Sequence, residues 1–383
     1  MSRRLDQRLT ERAAALDRAG LTRTLPRITE RRGVRYQLEG RPVVGFCSND
    51  YLGFADEPDA PPTVAAGTGA SRLICGDLPE LRHLEEALAD LVDAEAVVLF
   101  PSGFQLNAGV LPALVEPGDL VFSDRLNHAS LIDGLRLSRA STQILPHGAA
   151  PPHEGDSRGP LRWWITESIF SMDGDRVDFA AAADFVARGG SLYVDEAHSF
   201  GLFDGGSTLC RSEGLRPSLL IGTLGKAVGA AGAFVAASST ICRWLRTRAR
   251  SFVFTTGTSP RVAQAALHRI GWLRGELGER RRGSLWANIA RMSANLGAPE
   301  PWPSPIFPLV VGDNHRALAI ADALLDRGWH VQAIRPPTVP EGGARLRLTL
   351  SALHEAADID ALTEDLRRIF ARFEAPLEPM RAR

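Results

Sequence analysis

The sequence predicts an α/β protein: a large domain on a mainly parallel sheet, followed by a smaller C-terminal α+β domain. Two patterns carry this. Between about residues 80 and 260, short continuous apolar runs alternate with helical periodicity, as expected of βα units whose strands are buried on both faces. After the Pro-rich stretch Gly297–Pro305 the pattern becomes strand, helix, strand, strand, helix. The 383 residues suffice for two such domains.

In chain order, residues 5–19 read as a charged amphipathic helix ending near Gly20, and 34–38 and 42–46 as a hairpin around Glu39-Gly40. Strands are expected at 96–100, 119–122, 162–166, 191–194, 219–222 and 233–237. A long helix over 260–276, with Val262, Ala266, Ile270 and Leu273 on one face, suits a bridge between domains. Strands at 306–311, 330–334 and 345–350, with helices at 316–326 and 355–370, complete the chain. The expected division is an N-terminal helix and β-region (1–45), a large domain (46–276) and a C-terminal domain (277–383), the last boundary lying within 276–305. The stretch 147–160, rich in Gly and Pro, reads as a surface loop.

Composition narrows the function. The residues are 44% apolar and 23% charged, and the net charge is −1, which argues against nucleic-acid or membrane-surface partners. Arginine runs such as 243–250 and 280–282 read as solvated helix faces. Cys47, Cys75, Cys210 and Cys242 form no CxxC or zinc pattern and suit a reducing compartment. The N-terminus has no apolar signal core and no run reaches membrane-spanning length, so the chain is expected to be cytoplasmic.

Against this background Lys226 stands out as the only lysine among the 44 Lys and Arg residues. Arginine replaces lysine as a surface charge, but not as a primary amine that forms a Schiff base. Lys226 follows strand 219–222 in Thr223-Leu-Gly-Lys226-Ala-Val-Gly229, where glycines permit close ligand approach. Asp195-Glu-Ala-His198 ends another strand and is open to several readings: metal pair, acid–base pair, cofactor clamp or helix cap. An acidic side chain there also suits the protonated nitrogen of a pyridine ring. Ser102-Gly103-Phe104 opens a helix, as a phosphate cradle or an ordinary serine cap. His128 suits ring stacking, proton transfer or a satisfied buried site.

These segments, together with Ser48-Asn-Asp-Tyr-Leu-Gly53, Thr166-Glu-Ser-Ile-Phe-Ser171-Met-Asp-Gly-Asp175 and Arg345-Leu-Arg-Leu-Thr349, resemble the α-oxoamine synthases. These are pyridoxal 5'-phosphate (PLP) enzymes of the aspartate-aminotransferase-like fold, fold type I. The resemblance covers about residues 15–370. It implies that Lys226 is the Schiff-base lysine, that His128 stacks on the ring, that Asp195 binds the ring nitrogen and that His198 binds the phenolic oxygen. Ser102, Gly103, Phe104 and Thr223 would hold the phosphate with Ser171 close by, and Thr255 and Thr256 would be lent by a second subunit of a homodimer with a shared active site. Arg347 would take the amino-acid carboxylate, and Asn49, His128, Arg23 and Thr338 would contact substrate. No metal is expected. Lys226 and His128 are the catalytic candidates.

Ile334-Arg-Pro-Pro-Thr338-Val-Pro is most similar to the branch that condenses L-alanine with a pimeloyl thioester, pimeloyl-CoA or pimeloyl-acyl carrier protein, at the entry to biotin biosynthesis. Glycine C-acetyltransferase chemistry is the alternative within the family. A keto-acid aminotransferase is the alternative reaction class. A cofactor-binding regulator fits poorly, since only residues 1–45 precede the sheet region. Three departures stand out: Leu81 replaces a usual histidine, leaving His83 outside the expected site, and the 59–67 and 147–160 segments are short.

Overall fold

A computed structural model describes residues 3–58, 62–152 and 159–377. The chain divides into two compact units: Met1–Tyr51, Met172–Gly174 and Ser284–Ala382 form one, and Leu52–Ser171 with Asp175–Gly283 form the other. The shortened 59–67 segment is described only from Pro62, where it contains no helix, and residues 153–158 of the expected surface loop lie outside the described residues.

The smaller unit begins with α1 (Arg3–Arg18), then β1 (Ile28–Arg32), β2 (Arg35–Leu38) and β3 (Arg41–Gly45). The larger unit contributes α2 (Pro79–Val92), β4 (Ala96–Phe100), α3 (Gly103–Leu114), β5 (Leu120–Asp124), α4 (Ala129–Ser138), β6 (Thr142–Leu145), β7 (Arg162–Glu167), α5 (Phe179–Ala187), β8 (Ser191–Asp195), α6 (Leu209–Ser212), β9 (Leu219–Thr223), β10 (Ala233–Ala237), α7 (Ser239–Arg248), α8 (Arg250–Val253) and α9 (Pro260–Arg274). Then come α10 (Glu276–Asn295), β11 (Ile306–Gly312), α11 (Asn314–Leu325), β12 (Trp329–His330), β13 (Gln332–Ile334), β14 (Ala344–Thr349) and α12 (Ala356–Arg372).

The large unit holds a seven-stranded sheet in the order β4-β10-β9-β8-β7-β5-β6. The β5–β6, β5–β7, β7–β8 and β8–β9 pairs are parallel, while β10 runs antiparallel to both β4 and β9. Only β10 is therefore reversed, and the other strands present their C-terminal ends along one edge. Strands β4, β7, β8, β9 and β10 are almost wholly buried, while edge strand β6 is partly exposed; on one face Val98, Phe100, Leu106, Val110, Leu131, Ile165, Tyr193 and Ile221 share one cluster. This accounts for the continuous apolar runs.

Three expectations change. The 330–334 strand is two strands: β12 pairs with β3 in parallel, whereas β13 pairs antiparallel with β14. The buried Val331 marks the change of sheet. Through the β3–β12 pairing, the N-terminal region joins the C-terminal elements in one compact unit instead of standing apart. The 260–276 helix stops at Arg274, capped by Gly275, and stays within the large unit. A separate helix, α10, then begins at Glu276, and its Leu285, Ile289 and Met292 are fully buried at helical spacing. The Pro-rich break lies only after it.

In the smaller unit Arg345 and Asp173 form a buried ion pair at 2.6 Å, with Arg345 also donating to the carbonyls of Gly343 and Met172. Asp173→Ala strands the guanidinium in the core and is expected to cost about 3–5 kcal/mol, read as a lower midpoint in urea unfolding. A loss below about 1 kcal/mol, the range of an exposed pair, would contradict this.

Candidate active site

In an open α/β sheet the C-terminal strand ends are where loops and helix N-termini converge on ligand. Lys226 lies just beyond β9, in a loop closed by the Leu224 N–H to Gly232 carbonyl bond (2.9 Å) and the Ala230 N–H to Leu224 carbonyl bond (2.8 Å). Gly229 has φ +70°, and a Cβ there would lie 2.5 Å from the Ala55 nitrogen. Close approach therefore requires this glycine. The loop presents the Lys226 Nζ 2.8 Å from Nε2 of His198, which is buried beyond β8.

Asp195, at the end of β8, is 5% exposed. Its Oδ2 accepts from Nδ2 of Asn107 and its Oδ1 from the Ala197 N–H, both at 2.9 Å. Asn107 accepts from the Tyr193 hydroxyl at 2.6 Å and donates to the Ser130 Oγ at 2.9 Å, and Ser130 lies 2.7 Å from Nδ1 of His128. A network buried from Asp195 to Ser130 thus ties the orientation of Asp195 to that of the more exposed His128. Partial burial lowers the His128 pKa; Asp195 raises it and Lys226 lowers it further. Asn107, Tyr193 and Ser130 escaped the sequence reading. The signals were an asparagine among the apolar residues of α3 and a tyrosine in a buried strand, whose hydroxyl needs a partner.

Glu167, at the end of β7, also went unassigned. It is 2% exposed and accepts the His128 N–H at 2.7 Å. Burial, then the neighbouring Asp195 charge, push its pKa up to about 8, against the opposing pull of Lys226 and of the His128 and Ser171 amides.

At the end of β4, Ser102 caps α3 by accepting the Gln105 N–H at 3.2 Å. As at any helix start, the Gly103 and Phe104 amides have no intrahelical acceptor. A Cβ on Gly103 would meet nothing within 4 Å, so the approach is open. The Thr223 hydroxyl donates to the Gly232 carbonyl and accepts the Gly225 N–H, each at 3.2 Å. Thr255 and Thr256 sit on the α8–α9 connection and join this network through no hydrogen bond among the described residues.

The remaining candidates belong to the smaller unit. Arg347 is buried on β14, its Nη1 3.2 Å from Oδ1 of Asn49, which also accepts from the Tyr51 hydroxyl. Arg23 donates to Oγ1 of Thr338 at 2.9 Å, and both line a cavity of about 480 Å³ with Leu25, Leu318, Ile334 and Arg335. His83 is exposed on α2 and Leu81 is fully buried. Among the described residues no cluster of three or more His, Cys, Asp or Glu suits a metal ion, and no helix is long and apolar enough to cross a membrane.

The model for aminotransferase class I and II matches residues 41–366. The 8-amino-7-oxononanoate synthase of Herminiimonas arsenicoxydans is 42% identical over 92% of this chain and 97% of that protein. The enzyme of the same name from Anaeromyxobacter sp. (strain K) is 44% identical over 96% of each. The chain belongs to the 8-amino-7-oxononanoate synthase family. A serine palmitoyltransferase from S. paucimobilis, solved with PLP and myriocin bound, superposes with a TM-score of 0.87 at 26% identity, over 97% of this chain and 98% of that one.

The fold is thus the expected α/β PLP-transferase fold, and the cofactor is pyridoxal phosphate. The residues present suit that cofactor: a primary amine, a buried carboxylate for a ring N–H, and helix amides open to an anion.

The loops bearing His128 and Ser171 are braced by His147, within the stretch read as surface loop. Its Nδ1 lies 3.0 Å from Asp124 and its Nε2 2.8 Å from Asp175. Burial lowers its pKa, but the two carboxylates outweigh that and raise it to about 10. A histidine raised from about 6.5 contributes its stability in full below that pH and loses it as pH rises toward about 10. Wild-type protein is therefore expected to lose thermal stability over that window more steeply than His147→Gln. Parallel profiles would contradict the clamp.

Proposed function

We propose that this chain condenses L-alanine with a pimeloyl thioester, releasing carbon dioxide and the thiol, as an 8-amino-7-oxononanoate synthase of biotin biosynthesis. Near-full-length identity with enzymes of that name carries the reading, and the Lys226–His198 and Asp195–Asn107 arrangement supports it. When bound, the cofactor supplies an electron sink for the negative charge that develops at the amino-acid Cα.

The chain's own residues do the rest. Lys226 anchors the cofactor, then acts through its neutral amine, taking the Cα proton and later returning one; such general acid–base help is worth roughly 100- to 10,000-fold. Asp195 would accept a hydrogen bond from the ring N–H and keep that proton in place. His198 would donate to the phenolic oxygen, and His128, held by Ser130, would stack against the ring and face substrate. The Gly103 and Phe104 amides at the α3 N-terminus, with the Ser102 and Thr223 hydroxyls, would hold the phosphate, with Ser171 close to the cofactor. Arg347, buttressed by Asn49, takes the alanine carboxylate. Arg23 and Thr338 contact the acyl substrate, whether carried on coenzyme A or on acyl carrier protein.

The working form is proposed as a homodimer sharing its active sites, with Thr255 and Thr256 contributed across the interface. Phe254 (72% exposed) and Ile74 (80% exposed) support this, because their segments are tied by the Ser71 hydroxyl to Val253 carbonyl and Gly257 N–H to Ala70 carbonyl bonds. Exposed apolar side chains of this size on segments tied together suit a partner surface.

The test is a turnover panel of alanine, glycine and serine against pimeloyl-CoA and acetyl-CoA, scored by thiol release. Alanine with the pimeloyl thioester is expected to win, and Lys226→Ala to abolish turnover. Preference for glycine with acetyl-CoA would sink the reading.

A further inference from the structure

Glu167 and Asp195 are Cα partners on the neighbouring parallel strands β7 and β8, and both are buried. Two carboxyl groups placed together away from water do not both ionise readily. Their hydrogen bonds distinguish them. Asp195 accepts from the Asn107 side chain and the Ala197 N–H. Glu167 instead faces the catalytic loops, accepting the N–H of His128 and that of Ser171. The charged groups that act on it are Asp195 from β8 and Lys226 from the loop after β9, while His128 at the start of α4 meets it through its backbone N–H. Lys226 in turn meets His198.

We propose that Glu167 is a positioning residue that keeps its proton in the working enzyme and, as a neutral acid, fixes the His128 and Ser171 amides beside the Asp195 carboxylate. The inference rests on the reading of Lys226 as the proton-transferring amine. A second negative charge beside Asp195 raises the proton affinity of Lys226 and holds it as an ammonium, which takes no proton from Cα. A neutral carboxyl accepts the same two N–H groups without that effect. Burial and the Asp195 charge both favour the protonated form, which persists until pH rises through about 8.

The test compares wild type, Glu167→Gln and Glu167→Ala as full-length PLP-loaded enzymes. Removing the acceptor leaves buried amides unpaired, so Glu167→Ala is expected to lower kcat about tenfold or more while moving the KM for alanine less. Glu167→Gln keeps a neutral carbonyl acceptor and is expected to recover most of that loss, and its kcat no longer falls as pH rises through about 8. Independently of turnover, wild-type minus Glu167→Gln infrared spectra are expected to show the carbonyl stretch of a protonated carboxyl group at neutral pH, lost above about pH 9. The proposal is overturned if Glu167→Gln is as impaired as Glu167→Ala, if both match wild type, or if wild type shows no such band. Wild type without alanine-dependent turnover would overturn the functional reading instead, and the infrared band would still decide the protonation of Glu167.

Discussion

The site depends on burying a carboxylate, Asp195, at the end of a strand packed on both faces. Such a group costs several kcal/mol unless its oxygens are satisfied. Here the Asn107 side chain and the Ala197 amide satisfy them, and the same asparagine carries the constraint onward to Tyr193, Ser130 and His128. The charge that suits a cofactor ring nitrogen also orders the side chain expected to stack on that ring. Sheet direction makes this possible: with only β10 reversed, β4, β5, β7, β8 and β9 all deliver their C-terminal loops to one edge.

The large unit places other buried or part-buried ionisable groups at its strand ends and loops and treats each differently. Glu196 is fully buried, which raises its pKa, yet it accepts the Leu209 and Cys210 amides and the Ser199 hydroxyl and serves as a cap for α6. His147 is held between Asp124 and Asp175 as a charged brace. Glu167 has amide donors but an acidic neighbour. Ionisable groups therefore take separate roles through their partners, a distribution common where proton transfer is tuned.

Much of the large unit was legible because buried parallel strands leave continuous apolar runs: β4 and β10 match the expected bounds, and β7, β8 and β9 differ by one residue at the C-terminal end. Residues after those strands were legible for the same reason, since strand ends mark where chemistry collects. What escaped depends on partners distant in sequence. Asn107 bonds to Asp195 across 88 positions, and no local pattern carries that pairing. The switch of sheet at Val331 was hidden because both halves have strand character. Helix α10 was hidden beside the stronger proline signal at its C-terminal side, although Leu285, Ile289 and Met292 carried the helical spacing.

Lys226 connects sequence to mechanism. Its solitude marked it, and the fold places its amine against His198 at the edge where Asp195 ends β8. That solitude also makes the central claim directly measurable. Borohydride reduction of the PLP-loaded protein followed by peptide mapping is expected to find the cofactor on the one lysine-containing peptide. Label confined to the N-terminal amine, or lost on reduction, would contradict the assignment of Lys226.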